Sequence, residues 1–78
     1  MLTEALEHLV TGVVDHPDDV TVRTRQLRRG DVLEVRVHPD DLGKVIGRGG
    51  RTATSFRKVI GALAGGVVRI DFVDVNGR

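Results

Sequence analysis

Gly47-Arg48-Gly49-Gly50 separates two stretches that both carry the apolar spacing of a helix, and only these four residues lie between them. Upstream, Leu42, Val45 and Ile46 give an apolar side. Downstream, Ala53, Phe56, Ile60 and Leu63 recur at spacings of three and four, and Val59 widens the stripe. Helices joined so closely must turn sharply, and glycine supplies the φ > 0 conformations such a turn demands. Pro39 suits the first position of the upstream helix, and Asp40 and Asp41 suit the positive end of its dipole. Gly65 and Gly66 stop the downstream helix.

The flanking segments complete the pattern. Leu2, Ala5, Leu6, Leu9, Val10 and Val13 form one stripe of an N-terminal helix, which the run "DHPDD" at residues 15–19 ends. Period two with β-branched residues then marks strands in "VTVRTRQL" and "DVLEVRV", and Gly30 in the intervening "RRGD" makes them a hairpin. Arg28 and Arg29 at its tip are solvated turn residues or contacts for an extended ligand. Val68, Ile70 and Phe72 alternate against Arg69, Asp71 and Asp74 in a closing strand, and residues 76–78 are expected to be a flexible end. The order α-β-β-α-α-β predicts one α+β domain over residues 1–75, a three-stranded sheet with helices packed on one face. It leaves open which edge of the hairpin the third strand joins.

A chain of 78 residues has a small core. The absence of cysteine excludes disulfides and thiolate metal sites. His8, His16 and His38 are scattered, so neither a metal nor another cofactor is expected. No apolar run approaches the ~20 residues of a membrane span, and the acidic start is not a signal peptide. A cytoplasmic protein with no membrane or small-molecule partner is therefore expected. The net charge of +1 conceals a division: residues 1–41 carry −4, residues 42–70 carry +6 without one acid, and residues 71–78 carry −1. The glycine stretch thus lies in the one segment able to attract a polyanion.

Three phosphate-handling patterns can be tested on it. A dinucleotide fingerprint starting at Gly47 would need its third glycine where Thr52 stands. A P-loop ending at Thr52 would need glycine in place of Val45 and lysine in place of Arg51. What remains is Gly-x-x-Gly between two helices, preceded by Val45 and Ile46, and this resembles the KH domain. Such a loop clamps about four nucleotides of single-stranded RNA by their backbone. Glycines without Cβ atoms let peptide N–H groups approach phosphates, while Arg48 and Arg51 supply charge. The alternative is that the glycines only permit a tight turn. Phe56 and Phe72, the two aromatic residues, both fall on apolar stripes, so base stacking on an aromatic platform is not expected.

The element order is that of a type II KH domain. The whole chain, above all "IGRGGRTATSFRKVI" at residues 46–60, resembles the KhpA family of small bacterial single-KH RNA-binding proteins. The resemblance implies RNA contacts at Lys44, Val45, Ile46, Gly47, Arg48, Gly49, Gly50 and Arg51. Beside them it implies a groove drawing on Val35, Arg36, Val37, Arg57 and Lys58, although the valines suit an ordinary core equally well. It implies broad-specificity binding, as a post-transcriptional regulator or RNA chaperone linked to cell elongation, division, shape and wall organisation. It also implies a homodimer or a heterodimer with a KhpB-type protein. One departure stands out: the large aliphatic of KH patterns three residues after the loop is Ala53 here. "GALAGG" at residues 61–66 suits either a dimer contact or close packing on the sheet. No paired acid, activated nucleophile or metal cluster points to an enzyme. The rival reading is a dimerisation or adaptor module with incidental RNA affinity.

Overall fold

In a computed structural model describing residues 1–76, six regular elements follow the expected order. They are α1 (Leu2–Thr11), β1 (Thr21–Leu27), β2 (Gly30–Val37), α2 (Leu42–Ile46), α3 (Arg51–Ala64) and β3 (Arg69–Asp74). Single 3₁₀ turns at Pro17–Asp19, Pro39–Asp41 and Arg48–Gly50 link them. Of the end expected to be flexible, residues 77–78 lie outside the described residues.

The sheet order is β1-β2-β3. β1 and β2 form the antiparallel hairpin, closed by Arg28-Arg29 with Leu27 opposite Gly30, whose φ of 117° only glycine adopts readily. β3 joins the free edge of β2 and runs parallel to it, Leu33 beside Ile70 and Val35 beside Phe72. The question of the third strand is thereby settled. β2 becomes the central strand, and β3 an edge facing the two-helix unit.

Side-chain alternation divides the sheet into two faces. Leu33, Val35, Val37 and Ile70 pack with Leu6 and Val10 of α1, Val45 of α2, and Phe56 and Ile60 of α3 in one apolar cluster. All three helices therefore lie on that side, as an α+β KH arrangement requires. The other face presents Arg23 and Arg25 from β1, Val32, Glu34 and Arg36 from β2, and Arg69, Asp71 and Val73 from β3.

One expectation about the helices needs correction and another is enlarged. Val59 and Leu63 do not extend the buried stripe of α3; they are 45% and 63% exposed, because only Ala53, Phe56 and Ile60 are buried along that helix. Asp41 stands at the start of α2, as the sequence places it, but it is more than a helix-end acid. It is fully buried, and its carboxylate accepts the backbone N–H groups of Asp15 (3.2 Å) and His16 (2.9 Å) and pairs with His16 Nδ1 (3.0 Å). Burial works against its charge, but the donors from Asp15 and His16 outweigh that and hold the carboxyl below its ordinary value. Asp41 thus fastens the connection after α1 to the start of α2.

Candidate nucleic-acid interface

The glycines differ in what they do. α2 ends where Gly47 N–H donates to Gly43 O at 2.8 Å, and Gly47 sits at φ 76°, ψ 172°. A Cβ there would collide with Thr52, at 2.8 Å from its Cβ and 2.9 Å from its backbone nitrogen. Gly47 is therefore required by the fold itself. Gly49 (φ 63°) and Gly50 (φ 77°) also take positive φ, yet a Cβ on either would meet open space. Each Cα is open to an approaching strand, while the Gly50 N–H is held inside the loop by Gly47 O at 3.1 Å.

Gly50 is also the N-cap of α3, so no side chain caps that helix start. The amino end of a 14-residue helix, with its partial positive charge, is left beside the open loop. Arg48 and Arg51 flank it, both exposed and with no acidic partner among the described residues. The geometry suits an anion approaching along the backbone.

Beside the loop runs a groove of about 360 Å³ lined by Ile46, Gly50, Ala53 and Arg57 on one side and residues 70–73 of β3 on the other. Ala53, the departure from the KH pattern, is nearly fully buried within this lining, where a larger aliphatic would take up room. Arg57 crosses the groove: its guanidinium donates to Ile70 O (3.3 Å) and lies 5.8 Å from the centre of the Phe72 ring. Phe72 in turn lies 6.0 Å from Phe56.

Several expected site residues are placed elsewhere. Val35, Val37 and Val45 are completely buried in the core and cannot line a surface. The groove's strand wall is β3, not β2, because β2 is the central strand with a neighbour on each side. Arg36 lies on the face of the sheet away from the helices and hydrogen-bonds Glu34, so it does not belong to the groove. Lys44 is engaged too, with Asp15 at 3.1 Å and Asp41 at 3.8 Å, and the Asp15 carboxylate raises its pKa. Lys58 is exposed on α3, at the rim of an adjoining apolar recess that Arg57 shares. Ile46, Gly47, Arg48, Gly49, Gly50, Arg51 and Arg57 remain together at one place.

Two histidines that are far apart in sequence also meet. The rings of His16 and His38 stack at 3.8 Å, with Asp40 close by. Parallel rings aim their nitrogen lone pairs side by side rather than at one point. His38 Nδ1 already accepts Asp40 N–H, at 3.0 Å. The pair is a packed contact beside the Asp41 fastening.

A helix–glycine loop–helix unit set against the edge of a three-stranded sheet is the arrangement of a KH domain. The sequence profile described as "KhpA/KhpB, KH domain" matches residues 3–66. An RNA-binding protein KhpA of Streptomyces coelicolor is 71% identical over 76 residues, covering 97% of this chain and 96% of its own. That of Mycobacterium tuberculosis is 55% identical over 76 residues, covering 97% and 95%. That of Halalkalibacterium halodurans is 46% identical over 72, covering 88% and 95%. The chain belongs to the KhpA/KhpB family of KH domains, a family of binding modules rather than enzymes.

Proposed function

We propose that this protein binds single-stranded RNA, with the strand's backbone laid along Arg48, Gly49, Gly50 and Arg51 and its bases in the groove between Ile46, Ala53, Arg57 and β3. The observation that carries this reading is the pair of glycines with open Cα positions at an uncapped helix start, flanked by two arginines that have no acidic partner among the described residues. A sugar-phosphate backbone can lie close against the loop's main chain there without a Cβ intervening. Relatives named RNA-binding protein KhpA support the choice of RNA. The contacts are to backbone and a mostly apolar groove, so binding is broad in sequence, as suits a cytoplasmic RNA chaperone or post-transcriptional regulator. The likeness to KhpA proteins extends this to a role in cell elongation and division.

One groove holds about four nucleotides, and pairing two grooves raises affinity through effective concentration. The exposed Val59 and Leu63 beside Gly61 and Ala62 give α3 a surface for a second KH domain, a copy of this chain or a KhpB-type protein. The same apolar face is what favours the rival reading, an adaptor whose RNA affinity is incidental. Replacing Arg48 and Gly49 with aspartate tests the assignment, because neither residue is buried. The variant is expected to keep its circular dichroism spectrum and to lose RNA in a low-salt mobility-shift assay. Undiminished binding would remove the loop from the site, and cross-linking from lysate that recovers protein but no RNA would favour the adaptor.

A further inference from the structure

Counted along the chain, residues 1–41 are acidic; in three dimensions their charges separate. All five of their arginines lie in or at the tip of the β1–β2 hairpin, at 23, 25, 28, 29 and 36. Residues 20–37 contain only Asp31 and Glu34 in opposition, while the other seven acids sit on α1 and the connections. Arg69 of β3 stands in register with Val32 and so joins Arg25 in one row across the sheet. The helix-free face thus carries Arg23, Arg25, Arg36 and Arg69 against two carboxylates, with Arg28 and Arg29 beyond its end.

The arrangement at the centre is specific. Glu34 is 7% exposed, and its carboxylate accepts Arg36 Nε at 2.9 Å and Arg25 at 3.1 Å. One buried anion therefore fixes two guanidinium groups on the strand surface. Each guanidinium has five N–H donors, so most of each fork has no partner among the described residues. Arg23, opposite Glu34, has no acidic partner among the described residues, and Arg69 meets Asp71 only at 3.9 Å. Every cation on this face is arginine, whose planar fork binds phosphate oxygens in pairs. The i, i+2 step between Arg23 and Arg25 is about 6.8 Å, comparable with the step between successive phosphates of an extended strand. No aromatic residue shares the face, so it offers nothing on which a base could stack.

We propose that this face of the sheet is a second RNA surface, which holds the phosphate backbone of a strand without reading its bases. It rests on the reading of the chain as an RNA binder but not on the glycine loop being the site. The two surfaces meet at β3, whose Asp71 and Val73 belong to the sheet face and also line the groove. A strand leaving the groove can therefore pass over the β3 edge onto the arginines.

The test replaces Arg23, Arg28 and Arg69 with glutamine, which leaves the Arg25–Glu34–Arg36 cluster intact, and compares the lysine triple variant. Fluorescence anisotropy follows an unstructured RNA of about six nucleotides, near the span of one groove, and one of about 25, across a series of salt concentrations. The glutamine variant is expected to bind the short RNA as wild type does. Its affinity for the long RNA should fall severalfold, with a salt dependence shallower by about two in log–log slope. The lysine variant should keep the wild-type slope. Long-RNA affinity and slope unchanged by glutamine would overturn the proposal, as would equal weakening of both lengths. An acidic polyglutamate peptide released by the glutamine variant, with RNA slopes unchanged, would overturn it in favour of a protein partner. The Arg48→Asp/Gly49→Asp variant is run in parallel. If it leaves short-RNA binding intact, the loop reading fails, while the long-RNA slope still decides the sheet face.

Discussion

Replacing Gly47 and Gly50 in turn by alanine should separate what the fold needs from what the ligand needs. At Gly47 the backbone lies in a region that is essentially glycine-only, and the new methyl would press on Thr52. Strain at such a φ/ψ costs about 1–3 kcal/mol, and overpacking against a fixed neighbour adds about 1–3 more. A domain of this size changes its melting temperature by roughly 4–8 °C per kcal/mol. Gly47→Ala should therefore melt roughly 10–50 °C lower than wild type, and its RNA binding should be lost only in proportion to unfolding. At Gly50 the methyl meets nothing, and the left-handed conformation costs about 1–2 kcal/mol, or roughly 5–15 °C. Gly50→Ala should remain folded at 25 °C and yet bind RNA severalfold more weakly, because its methyl stands where the strand approaches. Differential scanning fluorimetry with anisotropy on the same samples measures both. The reasoning is refuted if the two variants melt within a few degrees of each other, or if folded Gly50→Ala binds as wild type does.

Four further outcomes are expected. Ile60→Ala, which removes a fully buried side chain between α3 and the sheet, should cost about 2–5 kcal/mol in urea unfolding while leaving the affinity of the folded fraction unchanged. Lys44→Ala should weaken RNA binding less than Arg48→Ala does in a filter assay, since Asp15 already engages the lysine. The Glu34 carboxyl lies below its ordinary 4.5, chiefly through Arg36, against burial and with help from Arg25. A lowered folded value stabilises above the unfolded pKa and is lost as pH falls through the folded one, so melting temperature should hold from about pH 7 to 5 and drop below that. Glu34→Gln should flatten part of that drop. Asp41→Ala removes the acceptor for the Asp15 and His16 amides, and both should lose protection in hydrogen exchange relative to β2.

The sequence pattern disclosed every helix and strand, because period three-to-four and period two are imposed by which side of each element faces apolar neighbours. It also disclosed the loop, because glycine at 47, 49 and 50 marks a backbone that turns sharply between two helices. What it missed involves pairing at a distance. Val35 and Val37 read as well for a groove as for a core until β3 is known to lie beside β2 and take the edge. Val59 and Leu63 follow helical spacing perfectly well, but spacing does not say where the surface covering a helix ends. Asp41 is the helix-start acid it reads as, but its buried fastening role was hidden because its partners, Asp15 and His16, are about 25 positions away. The charge count failed for a related reason: a linear sum merges the arginines of the hairpin with acids that the fold carries to the opposite side.

The position of Glu34 on β2 bears on how the strands find each other. A shift of one residue between β1 and β2 would turn Glu34 and Arg36 inward among the helices and expel Val35 and Val37 to water, since the two faces exchange as a set. An ionised pair buried without its solvent-side partners is far less tolerable than a misplaced valine. Every slip by an odd number of residues is thereby disfavoured, and the charged side of the sheet acts as the hairpin's proofreader.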